Sequence, residues 1–170
     1  IGKKNETTPL QQAINEAKSF WKKQVDAGYQ ENIQNLVKEK KHILPMLAHD
    51  FNKRGKDITF PCYVQPKLDG VRLLVKIEPN NTITFLSRTG KIVGNLEHIE
   101  KEIRTLKSQT KTIYIDGELF TFDIPFEEIS GLFRKQEKTK QTELLKFHIF
   151  DVYLEDDRTF SARKLYLNKL

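Results

Sequence analysis

The sequence predicts an α+β domain, a mainly antiparallel sheet with flanking helices, preceded by a helical N-terminal segment. Three observations carry that prediction. Short strand-like runs are joined by brief polar turns, as in Leu73–Ile77, Glu78-Pro79-Asn80-Asn81 and Thr82–Leu86. Between such runs lie stretches whose apolar residues recur at helical spacing. Residues 1–44 show helical spacing and no catalytic candidate, so they read as an accessory segment set apart from residues 45–170.

Taken in order, Thr8-Pro9-Leu10-Gln11 is a helix start, with Thr8 at the N-cap, Pro9 at N1 and Gln11 closing a capping box. Leu10, Ala13, Ile14, Ala17, Trp21 and Val25 continue the helix, and Gly28 ends it. A weaker helical pattern holds Ile33, Leu36 and Val37, with Lys38, Lys40 and Lys41 on either a solvated or a nucleic-acid-facing side. Pro45-Met46-Leu47-Ala48 is a short apolar entry, and residues 51–59 read as a polar loop. Cys62-Tyr63-Val64-Gln65 is a β-favouring run that leads through Pro66 to Lys67. The next strands, Leu73–Ile77 and Thr82–Leu86, pair as a hairpin capped by Ser87-Arg88-Thr89-Gly90. Leu96, Ile99, Ile103 and Leu106 mark an amphipathic helix started by Asn95. Thr112–Asp116 and Glu118–Thr121 are strand-like around Gly117. Phe126, Ile129, Leu132 and Phe133 lie along a short helix, residues 135–140 form a charged loop, Leu145–Val152 is the last strand, and a helix begins at Phe160.

Composition narrows the function classes. Hydrophobic residues at 38% with charged residues at 31% describe a globular chain with a heavily charged surface. A net charge of +6 favours an anionic partner, nucleic acid being the simplest, although a generically basic protein would look the same. The lone Cys62 excludes an intrachain disulfide and fits a reducing, intracellular setting, cytoplasm or nucleus. His42, His49, His98 and His148 are scattered and offer no zinc spacing. No apolar run reaches transmembrane length and no signal peptide is visible. Because the chain begins at Ile1 rather than Met, the missing signal carries little weight.

The stretch Lys67-Leu68-Asp69-Gly70-Val71-Arg72 organises the rest. A lysine closes one apolar run, an Asp-Gly pair marks a tight turn with φ > 0 at or near Gly70, and Arg72 opens the next strand. A lysine at such a corner, pointing inward from a rigid scaffold, suits a nucleophile. An Asp-Gly hairpin with ordinary flanking cations is the plainer reading of the same six residues. A free lysine amine, with pKa ~10.4, is almost wholly protonated at pH 7, so a nucleophilic one needs desolvation, cations or metal beside it.

This hexapeptide resembles the nucleotidyltransferase signature of ATP-dependent DNA ligases, in a superfamily shared with RNA ligases and mRNA capping enzymes. Further elements follow in that family's order: Ser87-Arg88-Thr89-Gly90, Asp116-Gly117-Glu118-Leu119 and Phe147-His148-Ile149-Phe150-Asp151. The resemblance implies an ATP-grasp-like nucleotidyltransferase domain over residues 45–170. It implies ATP and Mg²⁺ as cofactors and nicked duplex DNA as the partner of a monomeric enzyme, sealing nicks in replication, repair or recombination. Lys67 would be the nucleophile that carries AMP. Arg72 would meet sugar and phosphate, Glu118 the ribose hydroxyls, Phe150 the adenine face and Gln65 the adenine amino group. Ser87 and Arg88 would touch phosphates of the nicked strand. Asp69 would orient Lys67 or the metal, or serve only as a turn residue, and Asp116 would be structural. Glu118 as a solvent-facing carboxylate, Phe150 as a core aromatic beside Phe147 and Ile149, and Arg88 as a solvated turn residue are the alternatives. No residue is assigned as a metal ligand. After Asp151 neither the later Glu-Gly element nor the Lys-x-Lys element of the family follows, and its OB-fold is absent as well, so the expectation is a fragment that is weakly active or inactive alone. An RNA ligase or a capping guanylyltransferase is the alternative within the superfamily. A catalytically silent, basic nucleic-acid-binding module is the alternative outside it.

Overall fold

The computed structural model of the chain describes residues 6–26, 29, 43–106, 110–135 and 137–170. Its two compact units are Ile1–Lys41 and His42–Leu170. In the first unit α1 spans Pro9–Asp26. Thr8 Oγ1 accepts from the Gln11 amide at 3.2 Å, which satisfies one of the free N–H groups of the first turn. The Gln11 side chain donates forward to Asn15 Oδ1 at 3.1 Å rather than closing a capping box. Gly28 and the second helical pattern (Ile33, Leu36, Val37 and their lysines) lie outside the described residues.

The second unit is built on one antiparallel sheet of four strands in the order β2-β1-β3-β4. The strands are β1 Val71–Ile77, β2 Ile83–Ser87, β3 Ile113–Phe120 and β4 Lys146–Tyr153. The β1–β2 hairpin has the expected register, Ile77 opposite Ile83 and Leu73 opposite Ser87. Its turn is closed by Asn81, at φ 62, whose N–H donates to Glu78 O at 2.8 Å.

Strand alternation gives the sheet two unlike faces. Leu73, Val75, Ile77, Phe85, Ile115 and Leu119 point to one side and are buried. They form one core with Ile99 and Ile103 of α3 (Glu97–Ile103) and with Ile129 and Leu132 of α4 (Phe126–Arg134). Each such side chain contributes roughly 1.5–3 kcal/mol on burial. The opposite face is thinner. Leu74, Leu86 and Tyr114 form a small second cluster with Ile43, and the remaining positions there are polar or aromatic.

Several local expectations are corrected. Residues 51–59 are not a plain loop, since Asp50 accepts from the Asn52 amide at 2.9 Å and starts a one-turn helix, α2 (Phe51–Arg54), followed by a 3-10 turn. Asn95 does not cap α3. It sits at φ 63 just before the helix, and its side chain donates to Lys135 O at 2.6 Å. The charged loop after α4 runs into a 3-10 turn over Lys140–Leu144. The Cys62–Gln65 run is exposed and forms no strand; it meets the edge strand β4 through the Gln65 side chain. The last helix, α5, spans Phe160–Leu167 behind the Thr159 cap.

Gly117 does not separate two strands either. It lies inside β3, opposite a bulge in β4, where Gly117 pairs with Ile149 but Asp116 pairs with Asp151. Phe150 is therefore the extra residue. A Cβ at Gly117 would stand 2.5 Å from His148 O and 2.5 Å from Phe147 Cε2. Glycine in a strand interior normally costs roughly 0.5–1 kcal/mol against alanine. Here Gly117→Ala should instead destabilise the domain by about 1–3 kcal/mol, the range for forcing extra atoms into a packed site. Urea unfolding of the two proteins measures the sign directly.

Candidate active site

Most of the residues singled out from the sequence meet at one end of the sheet, on the face away from α3 and α4. Register places Arg72 opposite Glu118 and Val71 opposite Leu119, just after the Lys67–Gly70 segment. Leu73 lies opposite Ser87, so the Ser87–Gly90 turn occupies the same end.

Arg72 is the most heavily engaged side chain there. Its Nε donates to Asp116 Oδ1 and its Nη2 to Asp116 Oδ2, both at 2.6 Å. Nη2 also reaches Met46 O at 3.5 Å. The guanidinium stands 4.5 Å from the centroid of the Phe150 ring, within range of a cation–π contact. The hydrogen bond that the Arg72 guanidinium donates to Asp116 holds it above its ordinary pKa, against the cost of burial. Burial pushes the Asp116 carboxyl up, and the Arg72 fork pulls it back. The two-point contact decides the charge state: this is an ion pair at neutral pH. Asp116 is thus the anchor of the site's arginine, a structural role with a definite partner.

Glu118 shares the face with Arg72. Burial lifts its carboxyl above the ordinary range, opposed by the charges of Arg72 and Lys67 and by a hydrogen bond from the Gly70 amide. The lysine, the glycine turn and the carboxylate are therefore one electrostatic unit. Lys67 itself is exposed, as is Asp69. The expectation of an inward-pointing lysine at a strand corner is corrected on this point, because the segment before it is an unpaired strap. Gly70 is corrected too. Its φ is not in the left-handed region, and glycine is required for close approach, since a Cβ there would lie 2.2 Å from Leu119 O.

The strap is tied down by side chains. Gln65 Nε2 donates to Phe150 O at 3.1 Å, which turns Oε1 the other way as an acceptor. Phe150 is half-buried under Arg72. Phe147 packs against the core, but Ile149 is 36% exposed, because it faces Gly117 and finds no side chain there. Ser87 Oγ accepts from the Lys91 amide at 3.0 Å and lies 3.2 Å from Thr89 Oγ1, while Gly90, at φ 80, closes the turn onto Ser87 O. Arg88 stands exposed at its apex.

Fold and site together define an α+β domain with a polar site around the Arg72–Asp116 pair at one end of an antiparallel sheet. The chain belongs to the family of ATP-dependent DNA ligase domains, whose model matches residues 45–170. It is similar to the DNA ligase of African swine fever virus (isolate Pig/Kenya/KEN-50/1950), 31% identical over 169 residues that cover 96% of this chain and 38% of that protein. The DNA ligase of Enterobacteria phage T4 is 26% identical over 117 residues, covering 66% of this chain and 22% of the phage protein. The solved structure named Pmar-Lig_Pre. superposes with a TM-score of 0.57 at 25% identity, over 72% of this chain and 30% of its own. The chain spans about 38% of the length of the viral relatives it matches. Among the described residues no helix is long and apolar enough to cross a membrane.

The raised Glu118 carboxyl has a measurable consequence. A carboxyl whose folded pKa exceeds its unfolded value stabilises the fold below the unfolded pKa, and that stability is lost as pH rises through the folded pKa. Glu118→Gln removes the ionised, half-buried group, so it should raise Tm at pH 7. The gain should vanish as pH drops below the usual glutamate value of about 4.3. Paired thermal melts from pH 3.5 to 7.5 test this, and a gain that grew towards low pH would contradict it.

Proposed function

We propose that this chain is the adenylation part of an ATP-dependent DNA ligase, with Lys67 as the residue that carries AMP. The observation that supports this reading is Lys67, exposed and within electrostatic reach of Glu118, with the Phe150 ring under Arg72 on the adjoining sheet face. In the first step the Lys67 amine, having lost a proton, attacks the α-phosphorus of ATP. A P–N bond forms and pyrophosphate leaves with the electron pair of the broken P–O bond. In the second, an oxygen of the 5′-phosphate at a nick attacks the same phosphorus and the P–N bond breaks. In the third, the 3′-hydroxyl attacks the 5′-phosphorus and AMP departs.

The chain's residues divide the work of positioning. Phe150 offers a π-face to adenine, and Gln65 Oε1 accepts from the adenine amino group. Glu118 receives the ribose hydroxyls, and Arg72 reaches the sugar and phosphate with the edge that Asp116 does not use. Asp69 lies next to the turn and orients Lys67. Ser87 and Arg88 meet phosphates of nicked duplex DNA, where an arginine and a small hydroxyl supply position rather than sequence selectivity. The net charge of +6 favours that substrate. Among the described residues no three His, Cys, Asp or Glu side chains converge as a metal cage. The residues present fit Mg²⁺ arriving on the triphosphate, where it would neutralise charge as pyrophosphate leaves. A monomer working in the cytoplasm or nucleus is the setting we propose.

Two measurements test the proposal in the protein that carries this chain. Labelled ATP should leave covalent label on Lys67, and Lys67→Ala should abolish it. Label from GTP instead would favour a capping enzyme, and label on another lysine would overturn the assignment. Arg88→Ala should slow transfer to nicked DNA at least tenfold more than it slows self-adenylylation. It should also lower the salt dependence of nick binding by about one charge. Equal damage to both steps would place Arg88 in the nucleotide pocket.

A further inference from the structure

Arg163, on α5, belongs to none of the motifs above, yet it closes a ring of contacts around them. Its Nε donates to Asp151 Oδ1 at 2.9 Å and its Nη2 to Asp151 Oδ2 at 2.8 Å. Its Nη1 donates to Arg158 O at 2.8 Å, which fixes the loop entering the helix. The guanidinium lies 5.6 Å from the centroid of the Phe160 ring. Phe160 in turn meets the edge of Tyr63, with centroids 4.9 Å apart at 66°. Tyr63 Oη donates to Ser161 Oγ at 3.0 Å. Two residues along the strap, Gln65 binds Phe150 O, and Phe150 adjoins Asp151 in the bulge. From Arg163 the contacts thus run through Asp151 and Phe150 to Gln65, and through Phe160 to Tyr63. Both arms end on the unpaired segment that delivers Lys67.

We propose that Arg163 is a positioning residue, which holds the bulge that presents Phe150 and the strap that presents Lys67. The strap has no strand partner, so its place depends on these side-chain ties. Asp151 carries the bulge's charge, and its Oδ1 also accepts from the Val152 amide at 2.8 Å. A two-point arginine clamp fixes the plane of that carboxylate, which a lysine could hold at only one point. The roles of Phe150 and Lys67 rest on the proposed function, but the mechanical claim does not.

Cys62 is the only cysteine of the chain and is exposed, so a nitroxide attached there reports strap motion directly. Arg163→Met should shorten the correlation time of the label about twofold or more at temperatures where circular dichroism remains native. Arg163→Lys should fall between that variant and the parent. Arg158→Ala removes a nearby charge that pairs with Asp156 rather than Asp151, and should leave the spectrum unchanged. If Arg163→Met does not fold, Asp151→Asn removes the same clamp from the other side and should loosen the label in the same way. An unchanged spectrum in a folded variant would reduce Arg163 to a staple for α5 and overturn the proposal.

Adenylylation supplies a second readout. Arg163→Met should lower labelling efficiency about tenfold or more, as expected for a slightly misplaced nucleophile. It should also raise the ATP concentration for half-maximal labelling, but by no further amount when Phe150→Leu is already present. Additive effects would mean that Arg163 does not act through Phe150. A parent protein that takes no label from ATP would refute the proposed function, and the nitroxide result would still decide the positioning claim.

Discussion

One extra residue in β4 sets the site. Unbroken alternation from the Gly117–Ile149 pair would place Asp151 opposite Ile115, inside the core, and Val152 opposite Tyr114, on the polar side. A carboxylate in that core would lose its hydration with no cation beside it, a cost of several kcal/mol. The bulge avoids this. It lets two consecutive residues, Phe150 and Asp151, stay near Arg72 and Arg163, and it returns Val152, 1% exposed, to the apolar side. Gly117 is the counterpart that makes the bulge sterically possible, since any Cβ there would collide with β4. The Arg163–Asp151 pair and the burial of Val152 both depend on that local break in register.

Much of the scaffold is legible in the sequence because it rests on periodicity. The period-2 runs of β1 and β2, the Pro79-Asn80-Asn81 turn and the apolar faces of α3 and α4 each encode their burial directly. Residues defined by tertiary closeness are harder to read. Cys62–Gln65 has the composition of a strand, but it meets the edge strand β4 through the Gln65 side chain rather than through a backbone ladder, which composition does not reveal. Asn95 has the side chain of an N-cap, yet it takes a left-handed conformation and bonds a loop forty residues away. Gly70 looks like a turn glycine and is a clearance glycine instead. Gly117 carried the clearest overlooked signal. A glycine inside a strand pattern indicates a bulge or a close backbone approach at least as well as a break, and both are found here. The Asp116 anchor could have been inferred from side-chain parity, because Arg72, Asp116 and Glu118 fall on one sheet face once β1 and β3 are paired. Nothing local marks Arg163, since its partner lies on another element.

The arginine at the centre of the site illustrates how structure and chemistry share a side chain. A guanidinium has donors along more than one edge. Arg72 commits Nε and Nη2 to Asp116 and its face to Phe150, so among the described residues its hydrogen bonds leave Nη1 as the edge available to a ligand. An arginine held so firmly is a poor general-purpose clamp for a mobile triphosphate, but a good fixed donor for one oxygen at a set height above an aromatic ring. Its orientation is settled before any ligand arrives, so little reorganisation remains when charge develops. The strap offers the contrast. Lys67 sits beyond an unpaired segment held by a few side-chain contacts, as suits a group that must meet an incoming phosphate and later present its cargo elsewhere. On the proposed function a rigid receptor for base and sugar is thus set against a tethered nucleophile, and the same strand, β4, restrains both.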